Sequence, residues 1–134
     1  MTILLVDNDP VYLNLMAEVL TLHSHTVIKA TDGESALEYL RREPVDLVIS
    51  DISMPKMNGM NLQRYMRDEE KLKHIPFAWN SGYRELREVL EIENPQIDFI
   101  FDKAMPIPNL LYFLNHLRIE RNAEHARSPL AAEA

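Results

Sequence analysis

A doubly wound α/β domain, built on a five-stranded parallel sheet in the order 2-1-3-4-5, is the fold class that this sequence predicts. Two observations carry it. Short strand-length runs that are apolar on both faces, such as Ile3, Leu4, Leu5, Val6 and Leu47, Val48, Ile49, alternate along the chain with stretches of helical period. Strands of that kind belong to a parallel sheet covered by helices on both sides, and right-handed crossovers then leave few topologies. The 134 residues, 46% of them hydrophobic, suffice for one domain with a core and fall short of two.

The elements follow in order. The first strand, Thr2 to Val6, leads into a helix opened by Asp9 as cap and Pro10 at the first position, with Val11, Leu15, Met16, Val19 and Leu20 expected on its buried face. Thr26 to Ala30 is a second, weaker strand. After Thr31, Asp32 and Gly33 a helix uses Ala36, Leu37 and Leu40, and Pro44 ends it before the third strand, Val45 to Ser50. A third helix follows Gly59 with Met60, Leu62, Tyr65 and Met66. Pro76 opens a fourth strand through Asn80, which Ser81 and Gly82 close. Leu86, Val89 and Leu90 mark a fourth helix, Ile97 to Phe101 a fifth strand, and Leu110, Leu111, Leu114 and Leu117 the stripe of a last helix. The domain is expected over residues 1–119. Residues 120–134 lack an apolar period and read as a tail that extends the last helix or is disordered.

A net charge of −7 without a basic cluster argues against direct binding of nucleic acid or an anionic membrane. No cysteine, signal peptide or membrane-length apolar run is seen, so a cytoplasmic location is expected. His23, His25, His74, His116 and His125 show no metal spacing; His23 and His25 are expected in solvent near a helix end.

Chemistry collects at the strand ends. The first strand delivers Asp7, Asn8 and Asp9, the third Asp51, the fourth Ser81 and the fifth Lys103. In sheets of this topology ligands bind beyond the carboxyl ends of the strands at the switch point, here between strands one and three, where Asp7 and Asp51 should meet. Clustered carboxylates repel unless a cation neutralises them, so the pocket suits a hard metal with oxygen ligands, magnesium being the expected ion. An aspartate beside such a cation can take a phosphoryl group, with a lysine and a hydroxyl offsetting charge on the phosphoryl oxygens.

The fragments Ile3, Leu4, Leu5, Val6, Asp7, Asn8, Asp9, Pro10, then Val45 to Asp51 with Met54 and Pro55, Asn58 and Gly59, Ser81 and Gly82, and Lys103 together resemble a response-regulator receiver domain of two-component signalling, up to about Leu117. The resemblance implies a flavodoxin-like architecture. It also implies that Asp51 is the phosphoacceptor, Ser81 the switch hydroxyl and Lys103 the cation that pairs with the phosphate. Asp7, Asp51 and the backbone carbonyl of Ser53 would hold Mg2+. The donor would be a sensor histidine kinase or a phosphotransfer protein, and a downstream protein would bind the face made by the fourth helix, fifth strand and fifth helix, around Tyr83, Arg84, Arg87 and Met105. A monomer or weak homodimer is expected, and a signalling domain rather than an enzyme, catalysing at most its own phosphorylation and dephosphorylation.

Three positions depart from the family pattern. Asn8 replaces the second acid; its amide oxygen can ligate a metal but brings one charge fewer. Ile100 stands at the switch position where an aromatic is usual. Ala104 replaces the proline after the lysine, whose preceding peptide is typically cis; a cis bond before alanine costs about 2.5–4 kcal/mol, so the loop is either rebuilt in trans or strained. Two alternatives therefore stay open: a degenerate receiver that binds partners without phosphorylation, and a haloacid-dehalogenase-like phosphatase whose nucleophile would be Asp7 in the Asp7, Asn8, Asp9 run.

Overall fold

The computed structural model describes residues 1–82, 92 and 94–126, with side chains through 123. The expected fourth helix with Leu86, Val89 and Leu90, the expected contact residues Tyr83, Arg84 and Arg87, and the end of the tail lie outside the described residues. Two compact units are distinguished, Met1–Lys103 and Ala104–Ala134.

The first unit holds the sheet. Its elements are β1 (Thr2–Val6), α1 (Pro10–Leu22), β2 (Thr26–Ala30), α2 (Gly33–Arg42), β3 (Leu47–Ser50), α3 (Gly59–Asp68), β4 (Phe77–Ser81) and β5 (Asp98–Asp102). The five strands are parallel throughout and run in the order β2-β1-β3-β4-β5, as the alternation of elements predicts. β3 starts two residues later than expected, and β5 is shifted by one, so that Asp98 and Asp102 rather than Ile97 and Phe101 bound it.

Alternation along the strands divides the core. Leu4, Val6, Val48, Phe77 and Trp79 point to one side, where they pack with Ala36, Leu37 and Leu40 of α2 and Leu62 and Met66 of α3. Ile3, Leu5, Ile49 and Ala78 face the other way and are buried as well. There α1 presents Leu13, Met16, Ala17 and Leu20. Its expected stripe was off by part of a turn: Val11 and Leu15 are 75% and 61% exposed. Leu13 and Ala17 continue the i, i+3, i+4 ladder through Met16 and Leu20, whereas Val11 and Leu15 sit on its flank. Tyr65 of α3 is likewise largely exposed.

α1, α2 and α3 each start on a side-chain cap, of which Asp9 was the one expected. Asp9 accepts from Val11 N and Tyr12 N at 3.0 and 3.4 Å, with Pro10 at the first position of α1. Asp32 accepts from Ser35 N at 2.8 Å and Asn58 from Asn61 N at 2.9 Å, capping α2 and α3. The β3–α3 loop is seated on α2: Gly33 N donates to Met57 O at 3.2 Å, and a Cβ on Gly33 would approach Met57 Cβ to 2.7 Å, so only glycine fits. His25, expected in solvent, is instead buried, with its Nδ1 3.3 Å from the terminal amine of Met1. The turn after α1 carries it back to the start of β2, where β1 begins alongside.

In the second unit α4 (Ile107–Ala126) is the last helix of the sequence. Leu110, Leu114 and Leu117 are buried on it and Leu111 partly so. The helix continues well past Ile119, into the segment read as a tail.

Candidate functional site at the carboxyl edge of the sheet

The parallel register brings the strand ends together. Val6 is level with Ser50, and Asp51 N donates to Val6 O at 2.9 Å, which sets Asp7 and Asp51 side by side just beyond the hydrogen-bonded ladder. Lys103 follows β5, and its N–H donates to Ser81 O at 3.2 Å, extending the β4–β5 ladder by one step.

The side chains of Asp7, Asp51 and Lys103 converge. Lys103 Nζ lies 2.7 Å from Asp7 Oδ2 and 3.3 Å from Asp51 Oδ2, one ammonium bridging both carboxylates. The second oxygen of each acid is fixed by the main chain: Asp7 Oδ1 accepts from Asp9 N at 2.9 Å, and Asp51 Oδ1 from Ile52 N at 2.8 Å. Each carboxylate is therefore oriented with one oxygen toward the shared cation. The peptide between Lys103 and Ala104 is trans, so of the two options for this loop the structure takes the rebuilt one, and the lysine still reaches the acids.

Electrostatics follow from burial. Desolvation pushes the Asp51 carboxyl above the usual aspartate range, and the nearby Asp7 charge adds to this; Lys103 and the Ile52 N–H oppose it without prevailing. For Lys103 burial acts to lower the pKa, but the hydrogen bond to Asp7 and the charges of Asp51 and Asp7 outweigh it, leaving the amine above its ordinary value and firmly protonated.

Asn8 and Ser53 are exposed on the two loops that frame the acids. Ser81 is fully buried at the end of β4; alternation gives it the face of Trp79, and its main chain ties it to Lys103. Ile100 is level with Trp79 and packs half-buried against the core on the α2–α3 side. Phe99 and Phe101 alternate to the opposite face.

Two residues at the site were not assigned a role from sequence. Asn80 is buried in β4, and its Nδ2 donates to Tyr12 Oη at 2.5 Å; Tyr12, in the first turn of α1, lies with its ring centroid 4.6 Å from Lys103 Nζ. Burial holds the Tyr12 phenol above its ordinary value, against the Asn80 hydrogen bond and Lys103. The readable signal was Asn80 itself, an amide in a central strand that has to find a partner.

Among the described residues no three His, Cys, Asp or Glu side chains gather to hold a metal. The acidic set is a pair, consistent with Asn8 in place of a further acid. That pair nevertheless suits a hard cation: two carboxylates, each anchored through one oxygen, offer the other to a positive charge that the lysine ammonium already supplies.

A parallel sheet of this order is a flavodoxin-like frame, and its two acids and lysine stand at the carboxyl edge, where ligands bind in such sheets. The chain belongs to the response regulator receiver domain family, whose profile matches residues 3–115. It is 42% identical over 106 residues to the response regulator GtcR of Aneurinibacillus migulanus, a match covering 79% of this chain and 43% of that protein. It is 32% identical over 125 residues to a probable cyclic di-GMP phosphodiesterase of Vibrio cholerae, covering 92% of this chain and 28% of that one. The chain thus spans less than half the length of these two relatives. Among solved structures, the receiver domain of an HD domain-containing protein from Pseudomonas fluorescens aligns with a TM-score of 0.81 and 26% identity, over 95% of this chain and 93% of that chain. The response regulator TrrA of Thermotoga maritima, in complex with Mg(2+)-BeF, aligns with a TM-score of 0.75 and 27% identity, over 87% and 97%. Receiver domains are signalling domains that work with histidine kinases or phosphotransfer proteins. No helix among the described residues is long and apolar enough to cross a membrane.

Proposed function

We propose that this chain accepts a phosphoryl group on Asp51 from a histidine kinase or phosphotransfer protein and passes the signal on by protein contact, without turning over an external substrate. The observation that carries the reading is the Lys103 ammonium bridging Asp7 and Asp51 at the sheet edge. An Asp51 oxygen attacks the phosphorus of a phosphohistidine, the new O–P bond forms as the N–P bond breaks, and the imidazole leaves with the bonding pair. Lys103 then pairs with a phosphoryl oxygen, while the Ile52 N–H keeps the carboxylate oriented. Asp7, Asp51, the Ser53 carbonyl and the Asn8 amide would hold Mg2+, which when bound offsets negative charge on the phosphoryl oxygens.

Exposure supports Asp51 over Asp7 as the nucleophile. The Asp51 side chain is 12% accessible and that of Asp7 only 2%. Asp7 also makes the shorter contact to Lys103, which suits a charge-holding role and disfavours the phosphatase reading.

Mass spectrometry after incubation with acetyl phosphate and magnesium tests the assignment. One phosphoryl adduct is expected on the wild type and none on Asp51→Asn. Folded, magnesium-binding protein that never acquires the adduct selects the phosphorylation-independent binding module. Steady phosphomonoester turnover lost in Asp7→Asn but kept in Asp51→Asn selects the phosphatase.

A further inference from the structure

Tyr12 and Asn80 belong to different elements, α1 and β4. Asn80 sits in a central strand at a position whose neighbours Ala78 and Phe101 are apolar, so its amide is costly there unless hydrogen-bonded. It is spent on one partner, the Tyr12 hydroxyl, which fixes the ring of an otherwise rotatable side chain. The ring lies against the Lys103 ammonium, 4.6 Å from centroid to Nζ, and the same ammonium meets Asp7 and Asp51. The Lys103 side chain is partly withdrawn from water, and ring attraction grows as a cation loses solvent.

We propose that Tyr12 and Asn80 form a latch that holds Lys103 across the two carboxylates in the metal-free protein, and thereby weakens the site's grip on a divalent cation. This rests on the reading that Asp7 and Asp51 are metal ligands. A metal held by Asp7 and Asp51 would draw on the same two carboxylates that the ammonium bridges, so the two cations would compete. Whatever stabilises the lysine there lowers metal affinity by the same factor, because a ligand shifts an equilibrium only through its differential affinity for the two states. Tyr12 and Asn80 are positioning residues in this scheme; neither reacts.

The test uses Tyr12→Leu, which removes the ring, Tyr12→Phe, which keeps the ring but not the tether, and Asn80→Leu, which removes the tether from the other end. Circular dichroism and thermal melting establish that each is folded. Acylation of Lys103 by an amine-reactive ester in metal-free protein is followed by peptide mass spectrometry, with Lys29 and Lys71 as internal controls. Loss of a partly desolvated cation–ring contact corresponds to roughly a fivefold to tenfold change in an equilibrium. Tyr12→Leu is therefore expected to raise the Lys103 rate by about that factor, with smaller increases in the other two variants and none at the control lysines. Magnesium affinity by calorimetry should tighten in the same order. Unchanged Lys103 reactivity in a folded Tyr12→Leu protein, or magnesium binding that weakens or stays constant, overturns the latch. Wild-type protein that takes up no magnesium, with Lys103 reactivity still responding, instead overturns the metal-site reading and with it the claim on affinity.

Discussion

Gly59 is packed directly against the main chain of Asp51. Its N–H donates to Ile52 O at 2.9 Å, and a methyl group at Gly59 would run into the Asp51 carbonyl oxygen and come within 3.2 Å of Ile52 Cα. The start of α3 therefore rests on the strand end that carries the candidate phosphoacceptor. Gly59→Ala forces backbone to move, and a stability loss of about 1–3 kcal/mol is expected from urea unfolding. Phosphoryl uptake from acetyl phosphate should fall in parallel, since the displaced segment holds Asp51. An alanine variant as stable and as reactive as wild type would show that the segment yields freely.

Arg67 and Asp98 form an ion pair of 2.6 Å at the opposite edge of the sheet, with side chains 18% and 2% accessible. Arg67 also donates to Ile75 O at 2.8 Å, and Gln63 Nε2 reaches Asp98 Oδ1 at 3.2 Å, so α3 is stapled to the start of β5. Arg67→Leu leaves the Asp98 charge buried without its main partner, and a loss of about 3–5 kcal/mol is expected in the urea midpoint analysis. A loss below about 1 kcal/mol would place the pair in the class of solvent-screened surface bridges.

Asp51 sets a pH dependence whose sign follows from its raised pKa. The folded form binds this proton more tightly than the unfolded chain, so the group's contribution to stability is fully present below the ordinary value of 3.8 and is lost as pH rises through the folded value. Asp51→Asn is therefore expected to be more stable than wild type at neutral pH without metal, the difference vanishing in acid. Thermal melts of both proteins across that range check it; a gap that widens toward low pH would contradict the sign.

Asp32 acts in the other direction. Its hydrogen bond from Ser35 N, against some desolvation and with help from Lys56 at 3.6 Å, holds its pKa below the ordinary 3.8. The stability it brings is present above that value and lost as pH falls through the lower folded one. Removing this cap with Asp32→Ala should cost about 0.5–2 kcal/mol at neutral pH. The cost should shrink in acid, as denaturation at two pH values would reveal.

Local patterns determined much of this protein. Apolar runs bounded by Pro44, Pro76 and Gly82 specify strands, and Asp9 with Pro10 specifies a helix start, because a strand's two buried faces and a cap's hydrogen bond depend on near neighbours. Parallel pairing then leaves little freedom in where residues 7, 51 and 103 end up. Tertiary packing decided the rest: that Val11 and Leu15 face water, that His25 is buried, and that Tyr12, Asn80 and Lys103 form one chain of contacts. Tyr12 and Asn80 are 68 residues apart. No periodicity encodes their hydrogen bond, because it exists only once the sheet register and the seating of α1 have set the distance between them.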